Sequence, residues 1–190
     1  MVYLKSVKIC QDNIFAIIKQ KVFMRLFIAS PIKLDDYTSI KEDFKGIIEG
    51  KWVEEENLHL TWVFLGNVKN ENPIIDKLKK IAPPESEVGI EEMGYFGRPP
   101  RVLFAKTEEK LLYSKAREFK EAGFDLYRFK PHITLCRIKT IRDYKAYKEK
   151  LKAYREKALG LILPEINLYE STLTSEGAEY ACRYKIENLL

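Results

Sequence analysis

Two short stretches limit what this chain can fold into more than any other feature. Phe129-Lys130-Pro131-His132-Ile133-Thr134-Leu135-Cys136-Arg137 reads as a strand, because apolar and polar residues alternate after a turn-favouring proline. At a period of two, His132, Thr134 and Cys136 share one face, and Phe129, Ile133 and Leu135 share the other, a core face. The imidazole and the hydroxyl then stand about 7 Å apart along the strand. Asn57-Leu58-His59-Leu60-Thr61-Trp62-Val63-Phe64-Leu65 repeats the pattern, with Leu58, Leu60, Trp62 and Phe64 as its apolar face. The chain has only two histidines, and both stand in this His-x-Thr setting. One such histidine could be a core imidazole bonded to its neighbouring threonine. Two in the same setting point to a shared task.

Those strands must be carried by a chain of 190 residues, enough for one compact domain or two small lobes. No stretch approaches the roughly 18 apolar residues that a membrane helix needs. The formal charge is +5, of which Lys5, Lys8, Lys19 and Lys21 against Asp12 place +3 in residues 1–23 and leave +2 elsewhere. Global charge therefore decides nothing about a nucleic-acid partner. Cys10, Cys136 and Cys182 are odd in number and widely spaced, which suits a reducing cytoplasm better than a disulfide scaffold.

Residues 1–23 mix lysines with an apolar run around Ile14–Ile18 too short and too poorly flanked for a signal peptide. We expect a leader, either an upstream extension or a loosely packed appendage, ahead of one domain over residues 24–190. Met24–Ala29 is a strand. Asp35 or Asp36 caps a helix with Tyr37, Ile40, Phe44, Ile47 and Ile48 on its buried face, stopped by Gly50. Asn72-Pro73 opens a second helix, closed by Pro83-Pro84. Strands are expected at Glu87–Met93 and Arg101–Lys106, then a helix over Leu111, Leu112, Ala116 and Phe119 ending at Gly123. A long charged helix is expected over Arg142–Leu159, its tyrosines Tyr144, Tyr147 and Tyr154 serving packing rather than base stacking. A hairpin joins Glu165–Leu173 to Ala178–Ile186. The order repeats once. The two histidine strands lie one per half, and an internal duplication would set them across a pseudo-twofold axis over a cleft.

Metal binding is a poor reading of the pair: there is no His-x-x-x-His, and no acidic residue shares the strand faces. Cys136 as a nucleophile beside His132 has no thiol-activating geometry to support it. Metal-free acid–base chemistry fits better. Imidazole titrates near pH 6.5, so of two close ones a neutral and a charged form can coexist at neutral pH. Phosphodiester hydrolysis needs such a pair: one to take a proton from water, the other to protonate the departing alkoxide. Thr61 and Thr134 can donate hydrogen bonds to the phosphate oxygens. Lys130 and Arg137 are candidate phosphate contacts, although a regular strand would turn Arg137 away from His132 unless it bulges or ends. Arg101 suits a structural or rim-lining place.

The chain resembles the two-histidine phosphoesterase superfamily, in its RNA 2′,3′-cyclic phosphodiesterase branch, also called the 2′-5′ RNA ligase family. The matching features are Met24–Ala29, His59-Leu60-Thr61 with Phe64-Leu65-Gly66, Arg101-Val102-Leu103, Pro131–Arg137, and Leu168–Ser171 with Gly177 and Tyr180. The likeness spans residues 24–190. It departs from the family at residues 1–23 and at Trp62, where a smaller aliphatic residue is commoner. The resemblance implies a bilobal α+β fold: two pseudo-symmetric lobes, each with an antiparallel sheet and helices, flanking the active-site cleft. It implies hydrolysis of a terminal 2′,3′-cyclic phosphate to a 2′-phosphate with no metal and no cofactor. By that resemblance His59 would be the proton donor and His132 the acceptor, while Thr61, Thr134, Arg137 and Lys130 stand as the substrate-binding candidates read from the residues themselves. The implied partners are RNA ends bearing a cyclic phosphate, tRNA fragments among them, for a cytoplasmic monomer without a membrane anchor. The rival readings are a reversible 2′-5′ RNA ligase, a small cyclic-nucleotide phosphodiesterase, and a non-catalytic module that binds RNA ends.

Overall fold

A computed structural model of the chain describes residues 23–186 apart from 108, 127, 156 and 176, so the expected leader lies outside the described residues save Phe23. Nine strands and four α-helices alternate along it: β1 (Met24–Leu34), α1 (Tyr37–Asp43), β2 (Ile48–Trp52), β3 (His59–Val68), α2 (Asn72–Leu78), β4 (Val88–Phe96), β5 (Val102–Lys106), α3 (Lys110–Glu121), β6 (His132–Ile141), α4 (Tyr144–Ala153), β7 (Ala158–Ile162), β8 (Asn167–Leu173) and β9 (Ala178–Lys185). Every strand pair is antiparallel. The fold is α+β, as expected.

The strands make two limbs. In one, β3, β1, β8 and β9 lie side by side; in the other, β2, β6, β5, β4 and β7 do. Among the described residues, strands of the two limbs pair at two places. The end of β1 pairs with β7 over Ile32–Leu34, and Leu60 of β3 pairs with Ile133 of β6. They are not the two halves of the sequence that a simple duplication would give. β2 comes from the first half yet flanks the second histidine strand, and β8–β9 come from the C-terminal end yet lie beside β1, the neighbour of the first. Strand β1 needs partners on both edges to satisfy its backbone, and β8 supplies the second.

Helices cover the outer faces in the same interleaved way. Trp62 of β3 stacks on Phe119 of α3 with ring centroids 5.3 Å apart, and Lys77 of α2 donates to the Gly123 carbonyl just beyond α3. On the other limb Phe44, just after α1, meets Tyr147 of α4 at 6.0 Å, while the Tyr37 hydroxyl donates to the carbonyls of Val53 and Leu135. Tyr147 and Tyr154 are buried and serve packing as expected, whereas Tyr144 at the start of α4 is 46% exposed.

Two helices end sooner than their periodicity suggests. Asp36 caps α1, accepting from the Ser39 N–H, but the helix stops at Asp43, and Gly46 takes the left-handed turn expected of Gly50. Ile48 then begins a strand against Ile141. Asp143 caps α4, which ends at Ala153, and Ala158–Ile162 becomes β7 between β4 and β1. In each place a residue that fits a helical period, Ile48 or Leu159, is buried in a strand instead, because the sheet is there to receive it.

Candidate active site

Each histidine is the first residue of its strand. The carbonyl two residues earlier belongs to the preceding turn and is not used in a ladder. His59 Nδ1 lies 2.7 Å from the Asn57 oxygen, and His132 Nδ1 lies 2.7 Å from the Lys130 oxygen. A carbonyl can only accept, so both Nδ1 atoms carry the proton. That leaves both Nε2 atoms as the working nitrogens. The first turn is itself tied down: Asn57 donates from its side chain to the Ala178 carbonyl on the opposing hairpin. Lys130 thus enters the site through its backbone, and its side chain is exposed.

The single pair Leu60–Ile133 fixes how the two strands meet. Both residues are fully buried. Their neighbours therefore point the other way, into the cleft. In antiparallel register about that pair, His59 falls toward Thr134 and Thr61 toward His132. The four side chains make a quartet related by a twofold, which is what a symmetric clamp on one phosphate requires.

Past the threonines, both strands bulge at the third residue after the histidine. In β3 the pairing with β1 skips Trp62, and in β6 the pairing with β5 skips Leu135. A bulge shifts the alternation by one residue. The consequence for β6 is that Arg137, exposed, returns to the face of His132 and Thr134, while Cys136 turns into the core. Cys136 had been expected beside the histidine. Its burial pushes the thiol up to about 12, which rules out a thiolate at neutral pH. The same shift in β3 brings Phe64 out of the expected apolar face; it is 72% exposed and pairs with Phe27. Trp62 stays buried, with its indole N–H donating to Ser30 Oγ at 2.8 Å. Arg101 is structural through its backbone: its N–H donates to the Phe96 carbonyl and its carbonyl accepts from Ile138.

Sequence reasoning missed the aromatic walls. Phe27 and Tyr180 stand 5.0 and 5.4 Å from the His59 ring, and Phe96 and Phe104 stand 4.9 and 5.7 Å from the His132 ring. These residues come from four other strands, so only a knowledge of strand register could have found them. Tyr180 had entered only as part of the family likeness. Burial raises its phenol, and the guanidiniums of Arg137 and Arg25 oppose that shift, which sets both arginines near the Tyr180 edge of the cleft. His59 is held below the ordinary imidazole range, chiefly by burial and also by the His132 charge, against a raising contribution from the Asn57 carbonyl. Among the described residues no three His, Cys, Asp or Glu side chains cluster as a metal ion would need. No described helix is long and apolar enough to cross a membrane.

The family described as LigT-like phosphoesterase matches residues 32–104. An RNA 2′,3′-cyclic phosphodiesterase of Methanocaldococcus jannaschii is 32% identical over 83% of this chain and 96% of its own length. One of the same name from Aquifex aeolicus is 34% identical over 74% of this chain and 83% of its own. The crystal structure of Escherichia coli LigT in its apo form superposes with a TM-score of 0.63 at 21% identity, covering 86% of this chain and 96% of that one. That likeness supports the two-limbed fold.

Proposed function

The chain belongs to the LigT-like phosphoesterase family, and from that premise we propose that it hydrolyses a terminal 2′,3′-cyclic phosphate on RNA to a 2′-phosphate. The observation that carries the reading is the matched pair of imidazoles, each fixed through Nδ1 by the carbonyl two residues before it. His132 Nε2 takes a proton from water as the water oxygen attacks phosphorus. The bond from phosphorus to O3′ breaks, and His59 Nε2 delivers its proton to that oxygen, leaving a 2′-phosphate and a free 3′-hydroxyl. Thr61 and Thr134 donate to the non-bridging oxygens as charge builds there, and Arg137 adds a cation on the same face.

A donor must be charged when substrate is bound, and in the free protein the burial of His59 works against that. The anionic phosphate supplies the compensating field, so protonation of His59 and binding of substrate support each other. No resident metal enters this scheme. We further propose RNA 3′ ends, tRNA fragments among them, as substrates, and a monomer in the cytoplasm as the working form.

Thin-layer analysis of an oligonucleotide ending in a cyclic phosphate, run with and without a chelator, tests the reading. A 2′-phosphate product in both is expected. A 3′-phosphate product, or turnover that only one divalent ion restores, contradicts it.

A further inference from the structure

Taking the proposed hydrolysis as given, we infer that the RNA chain leading to the cyclic end lies along a basic groove over β2 and β6, with its phosphates on Lys51 and Lys139 beyond Arg137. The preferred substrate is then an oligonucleotide rather than a cyclic mononucleotide. The groove has a volume of about 530 Å³, and Lys51, Arg137 and Lys139 line it with Glu49, Gly50 and Ile138. Lys51 pairs directly with Arg137 across the two strands, so both side chains rise from one face, and Lys139 follows two residues on, exposed like Arg137. The Leu135 bulge makes that face the histidine face. The groove is thus a continuation of the cleft.

Its charge is local. Residues 24–190 together carry only +2, yet three cations gather here. The acidic residue on the lining, Glu49, is engaged by Arg142. At Gly50, which also lines the groove, an added Cβ would lie 2.4 Å from the Arg137 oxygen and 2.7 Å from Cys136 Sγ, so the two strands approach closely there. Across the groove the β8–β9 turn comes near, since a Cβ on Gly177 would lie 3.6 Å from Lys51 Nζ. From His132 to Lys139 the strand runs about 20 Å, a length that takes several stacked nucleotides at about 3.4 Å each. A mononucleotide would leave most of it unused.

The experiment compares kcat/KM for a cyclic mononucleotide and for a short oligonucleotide with a cyclic end, between about 50 and 200 mM salt. In the wild-type protein the oligonucleotide should be favoured, and its rate should fall more steeply with salt. Replacing two contacts in the Lys51→Ala, Lys139→Ala double variant should make the oligonucleotide slope shallower by about 1.4, at about 0.7 per single-strand phosphate. The oligonucleotide should lose about tenfold more than the mononucleotide, mainly through KM, and Lys51→Arg with Lys139→Arg should restore it. Equal losses on both substrates, or equal wild-type salt slopes, would overturn the groove; the slope comparison needs no variant to fold. A wild-type protein that turns over neither substrate would instead overturn the hydrolase reading on which the groove rests.

Discussion

The two imidazoles share one restraint and differ in their surroundings. His59 is the more enclosed, and burial holds it below the ordinary range. The sign of the consequence is fixed. A histidine with a depressed folded-state pKa contributes stability above its unfolded value of about 6.5, and that contribution is lost as pH falls through the lower folded-state value. An NMR titration of the free protein should therefore find His59 titrating below 6.5. Adding inorganic phosphate should move it upward. A value at or above the ordinary one without phosphate would mean that the imidazole is more solvated than its aromatic neighbours allow. The histidines and threonines were legible because an x-residue spacing on a strand is a local signal. The tautomer was not, since it depends on where two turn carbonyls happen to fall.

Among the elements, the bulges in β3 and β6 carry the most consequence. A strict period of two assigns Phe64 to the core and Cys136 to the cleft, and one skipped residue in each strand reverses both. Arg137 comes to the face of His132 and Thr134 for the same reason. Nothing local in the sequence marks Trp62 or Leu135 as the skipped residue, because a bulge is a property of the pair of strands. The early ends of α1 and α4 have a related cause, since Ile48 and Leu159 fit a helix until a sheet edge claims them. The close approach of β2 to β6 gives a test at this scale. Gly50→Ala adds a methyl group where the Arg137 carbonyl stands 2.4 Å away. Overpacking of this kind costs about 1–3 kcal/mol, which for a chain of this size lowers the melting temperature by roughly 2–12 °C. An unchanged melting temperature would show that the strands are further apart.

For the whole molecule, the interleaving of the limbs matters most. The second histidine strand is flanked by β2 from the first half, and the His59 ring packs against Tyr180 of β9 from the other end, so neither half would make the site alone. The presence of two lobes was legible from the motif pair, whereas their exchange of β2 and β8–β9 was not, because strand partners far apart in sequence leave no local trace. Among the described residues the sheet begins with β1 at Met24, which pairs with β3, β7 and β8. Removing residues 1–23 should accordingly leave the melting temperature and the turnover of a cyclic-phosphate substrate nearly unchanged. A fall of many degrees would show that residues 1–23 contribute to the fold.

The central claim is that His59 and His132 act on one phosphate in one transition state. Single-turnover kinetics of His59→Ala, His132→Ala and the double variant test it most directly. Each single replacement should slow the chemical step by at least about 10²-fold, whereas Thr61→Ala and Thr134→Ala, each removing a hydrogen bond of about 0.5–1.5 kcal/mol, should cost far less. The double histidine variant should be little slower than the poorer single one, because groups that act as a unit do not add. Losses that multiply strictly would mean that the two histidines do not share a transition state, and the symmetric cleft would not be the active site.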